Sequence, residues 1–147
     1  MYHELELIRP LMVICFLALL GEQKASEWFK DEQFHVGIVN IWRPLESPVE
    51  KSPLGHIDIS TLKSEDWKKI KVIYKDRVGV MRGLVHNENH KWFMINQMDP
   101  DQVWIFCQFD NKTKICVPHS AIEVVGTKED AKPRKSIESR CFVRYKI

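Results

Sequence analysis

The sequence predicts a mainly β fold, an antiparallel sandwich or jelly roll with short helices, and two observations support this prediction. Short runs rich in β-branched and aromatic residues recur at intervals of roughly ten residues. Turn-forming residues separate many of these runs. The predicted strands are 36–42, 54–59, 71–74, 78–85, 92–96, 103–109, 115–117 and 140–147, and the predicted turns are 76–77, 87–89, 99–101 and 110–111. This pattern is typical of a β-sandwich or a jelly roll.

Two short helical segments are expected among the strands. Ser26 is a suitable N-cap for an amphipathic helix over 26–33. Ser64 begins a helical turn whose next two residues are acidic, and acidic residues in a first turn interact favourably with the helix dipole. The lysine-rich stretch 68–71 is expected to form the solvated tail of this turn rather than a binding patch.

Composition limits the classes of protein to which the chain can belong. Its 147 residues are enough for one domain with a buried core. A hydrophobic fraction of 44% with 29% charged residues indicates a globular fold rather than a disordered chain. The net charge of +2 provides no electrostatic footprint for nucleic acid. The sequence has no nucleophile elbow, Walker loop or dinucleotide fingerprint, which argues against hydrolase, nucleotide-binding and Rossmann classes.

The four cysteines do not have the spacing of a metal-binding motif. There is no C-x-x-C pair and no His-Cys finger spacing, which argues against a zinc finger. Cys107, Cys116 and Cys141 lie among apolar residues of predicted strands, where a free thiol behaves as a small hydrophobic group. We therefore expect reduced cysteines rather than disulfides, and a cytoplasmic protein.

Residues 1–30 form a leader that differs in character from the β-rich domain predicted over 31–147. Within it, 11–20 is an unbroken apolar run that is too short to span a bilayer, which requires about 20 residues. Three interpretations stay open: a buried or docking helix, a signal peptide or anchor that would imply a secretory location, and a mis-joined terminus. Membrane contact by 11–20 belongs to the second interpretation.

The region after Pro118 contains the clearest candidate functional residues. His119 follows this proline, and an Arg-x-Ser pattern, Arg134 and Ser136, lies further along. Neutral imidazole is a good ligand for iron(II) in a site of two histidines and one carboxylate. The guanidinium of Arg134 matches a carboxylate in a bidentate way, and a serine two positions later faces the same side of a strand. The pattern predicts a metal ligand and a carboxylate-binding pair, with a purely structural role as the alternative.

A series of motifs runs through residues 37–145. They are NxWRPL at 40–45, PL at 53–54 with Asp58, NxNHKW at 87–92, MxP at 98–100, FD at 109–110, PHSA at 118–121 and PRxSIExR at 133–140. In this order they resemble the largely fungal hydroxylase/desaturase family typified by AsaB, which is similar to gibberellin desaturases and to the CmcJ hydroxylase.

This resemblance implies a double-stranded β-helix that uses Fe(II) and 2-oxoglutarate to hydroxylate or desaturate a small-molecule secondary metabolite. In that family pattern, His119 corresponds to the second iron histidine. Arg134 corresponds to the residue that binds the distal carboxylate of 2-oxoglutarate, and Ser136 assists it. No nucleic-acid partner is implied.

The chain also departs from the family pattern. Family members are about twice as long, and their H-x-D segment, which supplies the first histidine and the carboxylate, lies upstream of NxWRPL without a match here. Lys135 and Val80 stand where acidic residues are expected. The chain therefore resembles the C-terminal part of the family, as a truncated paralogue or an incomplete gene model would. An inactive β-domain that acts as a binding or interaction module is the alternative function, and a homodimer is possible.

One local pattern offers a replacement for the missing ligands. His56-Ile57-Asp58 is a literal H-x-D, and residues two apart on a strand point to the same side. With His119 these two side chains would complete a metal site. The alternative is that His56 lies in a loop or on a sheet surface and that Asp58 caps the turn before Ser60.

Two further positions are candidates for contact with a substrate or ligand. Trp42 and Arg43 are predicted to line a substrate pocket, although Arg43 could instead pair with Glu138 or Asp58. His90 and Trp92 form a His-x-Trp pair, for which strand packing with a polar tip is the favoured interpretation.

Overall fold

The computed structural model describes residues 16, 19–75 and 78–146. It contains helix α1 (Glu22–Lys30) and eight strands, with two short 3-10 turns at Ile59–Thr61 and Ser64–Asp66. The strands are β1 (His35–Pro44), β2 (Leu54–Ile57), β3 (Trp67–Ile73), β4 (Val78–Leu84), β5 (Trp92–Met94), β6 (Trp104–Asp110), β7 (His119–Ala121) and β8 (Ser136–Tyr145). The described residues are therefore mostly strand and loop, and the predicted mainly β fold is confirmed.

Three antiparallel sheets make up the fold. The first has the order β6-β1-β8, the second β5-β2-β7, and β3 pairs with β4 in a two-stranded ribbon. Every sheet joins strands that are distant in sequence except the ribbon, as expected for a jelly roll rather than a series of hairpins.

Strand β1 organises the first sheet because it lies between β6 and β8 along most of its length. Trp42 faces Trp104 on one side and Glu138 on the other. The strand ends at Pro44, which has no N–H to continue a ladder. Its last residue pairs with Ser136, the first residue of β8. The position of the proline thus sets where the candidate Arg-x-Ser segment enters the sheet.

Strand β2 is short and buried at all four positions. It is flanked by β5 and β7, so no side of it is free to meet water. Gly55 has no side chain for a packing reason: a Cβ there would lie 2.8 Å from Ile122 Cγ2, closer than real contacts allow. A close approach of β2 to the segment after β7 therefore requires glycine.

Two buried apolar clusters support the sheets. The first joins side chains of both three-stranded sheets and their connecting loops, namely Trp42, Val49, Leu54, Met98 and Phe106. The second packs α1 against the start of β1 and the end of β8, and comprises Phe16, Ala25, Val36 and Ile38 with Trp28, Phe29 and Phe142 around them. Phe106 of the first cluster also packs against His56 and His119.

The structure corrects three secondary-structure predictions. The helix expected to begin at Ser26 begins at Glu22, after Gly21. Ala25 is buried in the second cluster, and this packing stabilises an additional helical turn before Ser26. The lysine-rich stretch 68–71 belongs to β3 instead of a helical tail, although Lys68 and Lys69 are exposed as expected. Residues 115–117 are not a strand; Pro118 separates them from β7.

Several sequence predictions fall wholly or partly on residues outside the described ranges. Most of the apolar run 11–20, Cys15 and the turn at 76–77 are among them. Phe16 is described, and it is fully buried with its ring edge-on to Phe142, 4.4 Å between centroids. Across the described residues, none of the helices has the length and apolar character needed to cross a membrane. Cys107, Cys116 and Cys141 are free thiols.

Candidate metal site between the sheets

Two predicted metal ligands, His56 and His119, lie directly opposite each other on β2 and β7. Ile57 donates its N–H to Pro118 O at 3.1 Å, next to the pair. Because hydrogen-bonded and non-hydrogen-bonded pairs alternate along an antiparallel ladder, the two histidines form a non-hydrogen-bonded pair, in which side chains are closest. Their ring centroids are 5.8 Å apart. The strand register therefore brings two imidazoles together.

Aromatic residues enclose His56 between the two three-stranded sheets. Its ring centroid lies 4.1 Å from that of Trp104, 4.5 Å from that of Phe106 and 5.9 Å from that of Phe93. The residue is fully buried, and neither ring nitrogen has a hydrogen-bond partner among the described residues. The interpretation of His56 as a surface histidine is therefore wrong. An unpartnered buried polar atom costs about 1–3 kcal/mol, so this arrangement calls for an explanation.

His119 is oriented by its own strand. Its Nδ1 lies 3.1 Å from Val117 O, a distance at which Nδ1–H donates a hydrogen bond to that carbonyl. This bond selects the neutral tautomer with a lone pair on Nε2, the arrangement that commonly prepares histidine for a metal. The ring also packs on Phe106 with centroids 4.6 Å apart. His119 is half-buried and lines an open cleft.

Burial keeps His56 uncharged. Loss of hydration, together with a smaller contribution from the neighbouring His119, lowers the pKa of its imidazole from 6.5 to about 4. At neutral pH His56 is therefore a neutral imidazole, which is the form that binds metal ions.

Asp58, the third predicted metal residue, is directed elsewhere. Its carboxylate accepts hydrogen bonds from Ser60 N–H at 2.9 Å and Ser60 Oγ at 2.7 Å, and it caps the 3-10 turn after β2. These bonds lower the pKa of its carboxyl. The capping role proposed as the alternative for Asp58 is thus present. No group of three or more His, Cys, Asp or Glu side chains arranged for a metal occurs in the described part of the chain.

Arg134 reaches the same aromatic region from the loop before β8. Its guanidinium lies over the ring of Trp42, 5.4 Å from the centroid. Trp42 is buried in the cluster that contains Phe106, and Phe106 contacts His119. Ser136 follows as the first residue of β8. The predicted carboxylate-binding pair and the histidine pair are therefore linked through one aromatic cluster.

Arg43 does not make the partnership proposed for it with Glu138. Its side chain is exposed, and Nε donates to Pro44 O at 3.3 Å. Glu138 instead accepts from Asn40 Nδ2 at 2.9 Å and lies 3.8 Å from Arg140 Nη2. The guanidinium of Arg43 is thus open to solvent at the end of β1.

Two carboxylate-centred clusters were not anticipated from the sequence. Asp66 accepts hydrogen bonds from His90 Nε2 at 3.0 Å and from Asn87 Nδ2 at 2.9 Å. The strand packing favoured for the His90 and Trp92 pair is not present, because His90 lies before β5 and Trp92 is exposed. Asp110 accepts a hydrogen bond from Tyr145 Oη at 2.6 Å, and its Oδ2 lies 3.1 Å from His35 Nδ1. A usable signal was present only for Asp110, since Asp followed by Thr three positions later is typical of a side-chain-capped turn.

A cleft of about 990 Å³ opens beside His119. Its walls come mainly from β4 and the segment before β7, with contributions from β3, β6 and β7, and include Met81, Trp92, Val117 and His119. This volume is at the upper end of the range for small-molecule sites, and the lining combines apolar side chains with a few polar groups.

Comparisons with known proteins identify relatives of this chain. The chain is 31% identical over 139 residues to oxidoreductase clz16 of Cochliobolus lunatus, covering 87% of this chain and 47% of that protein. It is 29% identical over 125 residues to hydroxylase/desaturase asaB of Aspergillus flavus, covering 74% and 55%. The chain thus spans about half the length of these curated relatives.

The fold also matches a solved enzyme structure. The iron and alpha-ketoglutarate-dependent endoperoxidase NvfI superimposes with a TM-score of 0.77 and 25% identity, covering 88% of this chain and 48% of that one. The predicted likeness to fungal hydroxylases and desaturases is confirmed, and so is the jelly-roll fold. A family model described as the oxidoreductase/YMDC permease-like domain matches residues 17–144. The chain therefore belongs to the oxidoreductase/YMDC permease-like domain family.

Proposed function

We propose that this chain carries part of the active site of an Fe(II)/2-oxoglutarate-dependent oxidoreductase that hydroxylates or desaturates a small-molecule secondary metabolite. The observation that carries the proposal is the state of His119. It lies on the wall of a cleft with Nδ1 fixed by a carbonyl, in a fold that matches an iron and alpha-ketoglutarate-dependent enzyme.

The residues present fit the histidine portion of an iron site. His119 has the tautomer of a ligand, and its ring packs on Phe106. The carboxylate of Asp58 is occupied by Ser60, so a carboxylate ligand would have to come from outside the described residues or from a different rotamer of Asp58. When bound, iron would supply the oxygen-activating chemistry that oxidises a C–H bond.

Arg134 and Ser136 support the cosubstrate half of the proposal. A guanidinium presents a rigid fork that matches a carboxylate with two parallel hydrogen bonds. The aromatic face of Trp42 holds this fork by a cation–π contact and leaves its donor edge available for the distal carboxylate of 2-oxoglutarate. In this proposal Trp42 acts by positioning Arg134, while Arg43 remains a predicted substrate contact at the exposed end of β1.

The aromatic cluster would exclude water from the reacting region. Trp104 and Phe106 cover the inner side of the histidine pair, and the cleft beside His119 provides the entrance for a small molecule. A low-dielectric wall strengthens charged interactions within it, which favours binding of an anionic cosubstrate near Arg134.

Anaerobic titration with Fe(II) and 2-oxoglutarate tests the proposal. The full chain should develop the visible charge-transfer band of a 2-oxoglutarate complex, and His119→Ala should abolish it. Arg134→Lys should weaken 2-oxoglutarate binding by about tenfold, since one ammonium replaces a bidentate fork. Lys135→Ala is the matched control, because the ammonium of Lys135 pairs with Glu46 at the surface, 2.8 Å apart. Absence of the band from the unaltered chain would overturn the proposal.

A second function is favoured by the missing third ligand. Because the described residues contain no three-ligand group and Asp58 caps a turn, a non-catalytic binding module is the alternative. Under this alternative a secondary metabolite should bind the cleft without iron, and its affinity should be the same with and without Fe(II) and 2-oxoglutarate. Isothermal titration of a panel of such metabolites would distinguish the two functions.

A further inference from the structure

The ribbon of β3 and β4 differs from the rest of the fold in what it exposes. Its strands pair with each other from Trp67 opposite Leu84 to Ile73 opposite Val78. Within the described part of the chain, neither strand joins one of the three-stranded sheets. Large apolar side chains are exposed along the ribbon and at its tip, namely Ile70, Ile73, Tyr74, Val78, Val80 and Met81. Apolar side chains that are exposed together on one element mark an interaction surface.

The same ribbon is strongly basic. Residues 67–75 and 78–84 contain four lysines and one arginine and no aspartate or glutamate, whereas the net charge of the whole chain is only +2. The positive charge of the protein is therefore concentrated on this element. Lys68, Lys69 and Lys71 are all exposed. A surface that combines this charge with apolar side chains attracts a partner that is both anionic and apolar.

One face of the ribbon changes from charged to apolar along its length. Alternation along β3 puts Lys69, Lys71 and Ile73 on this face. At the tip, Ile73 is 81% exposed and Val78 is 64% exposed. The cationic side chains therefore lie nearer the body of the protein and the apolar ones at the free end. From base to tip, the cross-strand pairs on this face are Lys69 with Arg82, Lys71 with Val80 and Ile73 with Val78.

The pairing of Lys69 with Arg82 is a second indication of an anionic partner. Like charges that lie directly opposite each other on a sheet face destabilise the pairing of the strands. The guanidinium of Arg82 lies over the ring of Trp67, 3.9 Å from its centroid, and this contact holds it on the ribbon. An anionic group that contacts both cations relieves their repulsion.

We propose that the tip of the β3–β4 ribbon docks this protein on an anionic phospholipid surface. Ile73 and Val78 enter the boundary between headgroups and acyl chains, and Lys69 and Lys71 contact the lipid phosphates above them. The order of the side chains along the ribbon thus matches the order of the layers in a bilayer. A nucleic acid requires the cations but not the apolar tip, and the core of a protein interface is depleted in lysine.

The ribbon is also a wall of the cleft beside His119, because Val80 and Met81 are among the residues that line this cleft. Docking of the tip therefore places the cleft close to the lipid, in which apolar small molecules dissolve. The proposal goes beyond the proposed function, since it requires neither iron nor 2-oxoglutarate.

Co-sedimentation with lipid vesicles tests this proposal. The full chain should sediment with vesicles of equal parts phosphatidylserine and phosphatidylcholine, and much less with vesicles of phosphatidylcholine alone. Lys69→Gln combined with Lys71→Gln should weaken binding by about 25-fold, since each lysine near an anionic surface contributes about fivefold. Ile73→Asn should weaken binding by about tenfold through loss of apolar burial.

Matched controls come from the loop between β7 and β8. Lys128→Gln combined with Lys132→Gln removes the same charge from exposed lysines, and Val125→Asn replaces an exposed valine. Both control variants should keep the affinity of the unaltered chain. All the substituted side chains are exposed, so thermal unfolding of every variant should match that of the unaltered chain.

Three results would overturn the proposal. The first is no sedimentation of the unaltered chain with phosphatidylserine vesicles, whether or not the ribbon lysines bind RNA instead. The second is an equal loss of binding in the ribbon variants and the controls, because net charge alone would then explain it. The third is a dimer in size-exclusion chromatography that Ile73→Asn dissociates while vesicle binding is unchanged, which would make a second copy the occupant. The Fe(II) titration is independent of each result, so the two proposals can fail separately.

Discussion

Two regions of this molecule bury histidine in opposite ways. At Asp66 and Asp110, a carboxylate receives the imidazole of His90 or His35 together with other donors. Between the sheets, His56 meets only aromatic rings and another histidine. In the first arrangement the imidazole is already hydrogen-bonded to a carboxylate, and its role is structural. In the second arrangement the ring nitrogens of His56 have no hydrogen-bond partner among the described residues, and the histidine lies in the region that we propose for the metal site.

The electrostatics of the two regions differ accordingly. Burial alone would raise the pKa of Asp110, but hydrogen bonds from Tyr145, Thr113 and His35 outweigh it and hold the pKa of that carboxyl well below its usual range. The hydrogen bond that Tyr145 donates to Asp110 also raises the pKa of Tyr145 to about 12. At His56 no bond opposes burial, so its pKa falls to about 4. Hydrogen-bond partners therefore keep Asp110 charged, whereas loss of hydration keeps His56 neutral.

Removal of a central carboxylate should have the largest effect on folding. Asp110→Ala leaves Tyr145 Oη and the N–H of Lys112 without their acceptor. We expect the free energy of unfolding to fall by about 3 kcal/mol, as measured by urea denaturation. Asp101→Ala, at an exposed position, is the control and should change it by less than about 0.5 kcal/mol. Equal effects of the two substitutions would contradict the structural role of Asp110.

The pH dependence of stability should separate the regions. For His56 the folded pKa of about 4 lies below the ordinary 6.5, so the unfolded state binds the proton more readily. Stability of the metal-free chain should therefore fall as pH drops from 6.5 to 4, by at most about 1.4 kcal/mol per pH unit for this residue. For Asp110 the folded pKa is lowered below 3.8, so its contribution is lost only as pH falls below that value.

Denaturation at a series of pH values checks this two-stage behaviour. His56→Leu should remove the stage between pH 6.5 and 4 and leave the stage below 3.8. An unchanged slope in the upper window would mean that His56 is partnered or hydrated in solution.

Replacement of His90 by leucine should be moderately destabilising. The change deletes the hydrogen bond from Nε2 to Asp66 Oδ2, 3.0 Å long, and leaves the carboxylate with one donor fewer. A hydrogen bond to a charged group contributes about 1.5 kcal/mol or more, and we expect a loss of about that size in chemical denaturation. A neutral result would show that Asn87 and the N–H of Lys63 satisfy Asp66 alone.

The same substitution at His56 should act in the opposite direction in the metal-free chain. Leucine would fill a similar volume among Trp104 and Phe106 without burying unpartnered nitrogens. We expect the free energy of unfolding to rise by about 1 kcal/mol. His86→Leu, at an exposed site, controls for general effects of the substitution. A loss of stability at His56 would indicate that its nitrogens have partners such as buried water.

Local sequence signals predicted most of the strands but placed some boundaries wrongly. The β-branched and apolar residues of 36–42 located β1, although the strand runs from His35 to Pro44. By contrast, Ser26 looked like a cap but lies inside α1, because burial of Ala25 favours an earlier start. The strand at His119–Ala121 was missed, since three residues have no recognisable period and pair only because β2 lies beside them.

What the sequence by itself determined is the chemistry available: the mainly β fold, the family motifs, and His119, Arg134 and Ser136 as candidate site residues. Only the tertiary structure decided which of these groups meet. His56 and Asp58 looked equivalent in the sequence, but strand β2 ends at Ile57, between them. Asp58 therefore binds Ser60, while His56 lies opposite His119. Alternation along a strand is a local property, but strand endings and register depend on pairing with distant segments.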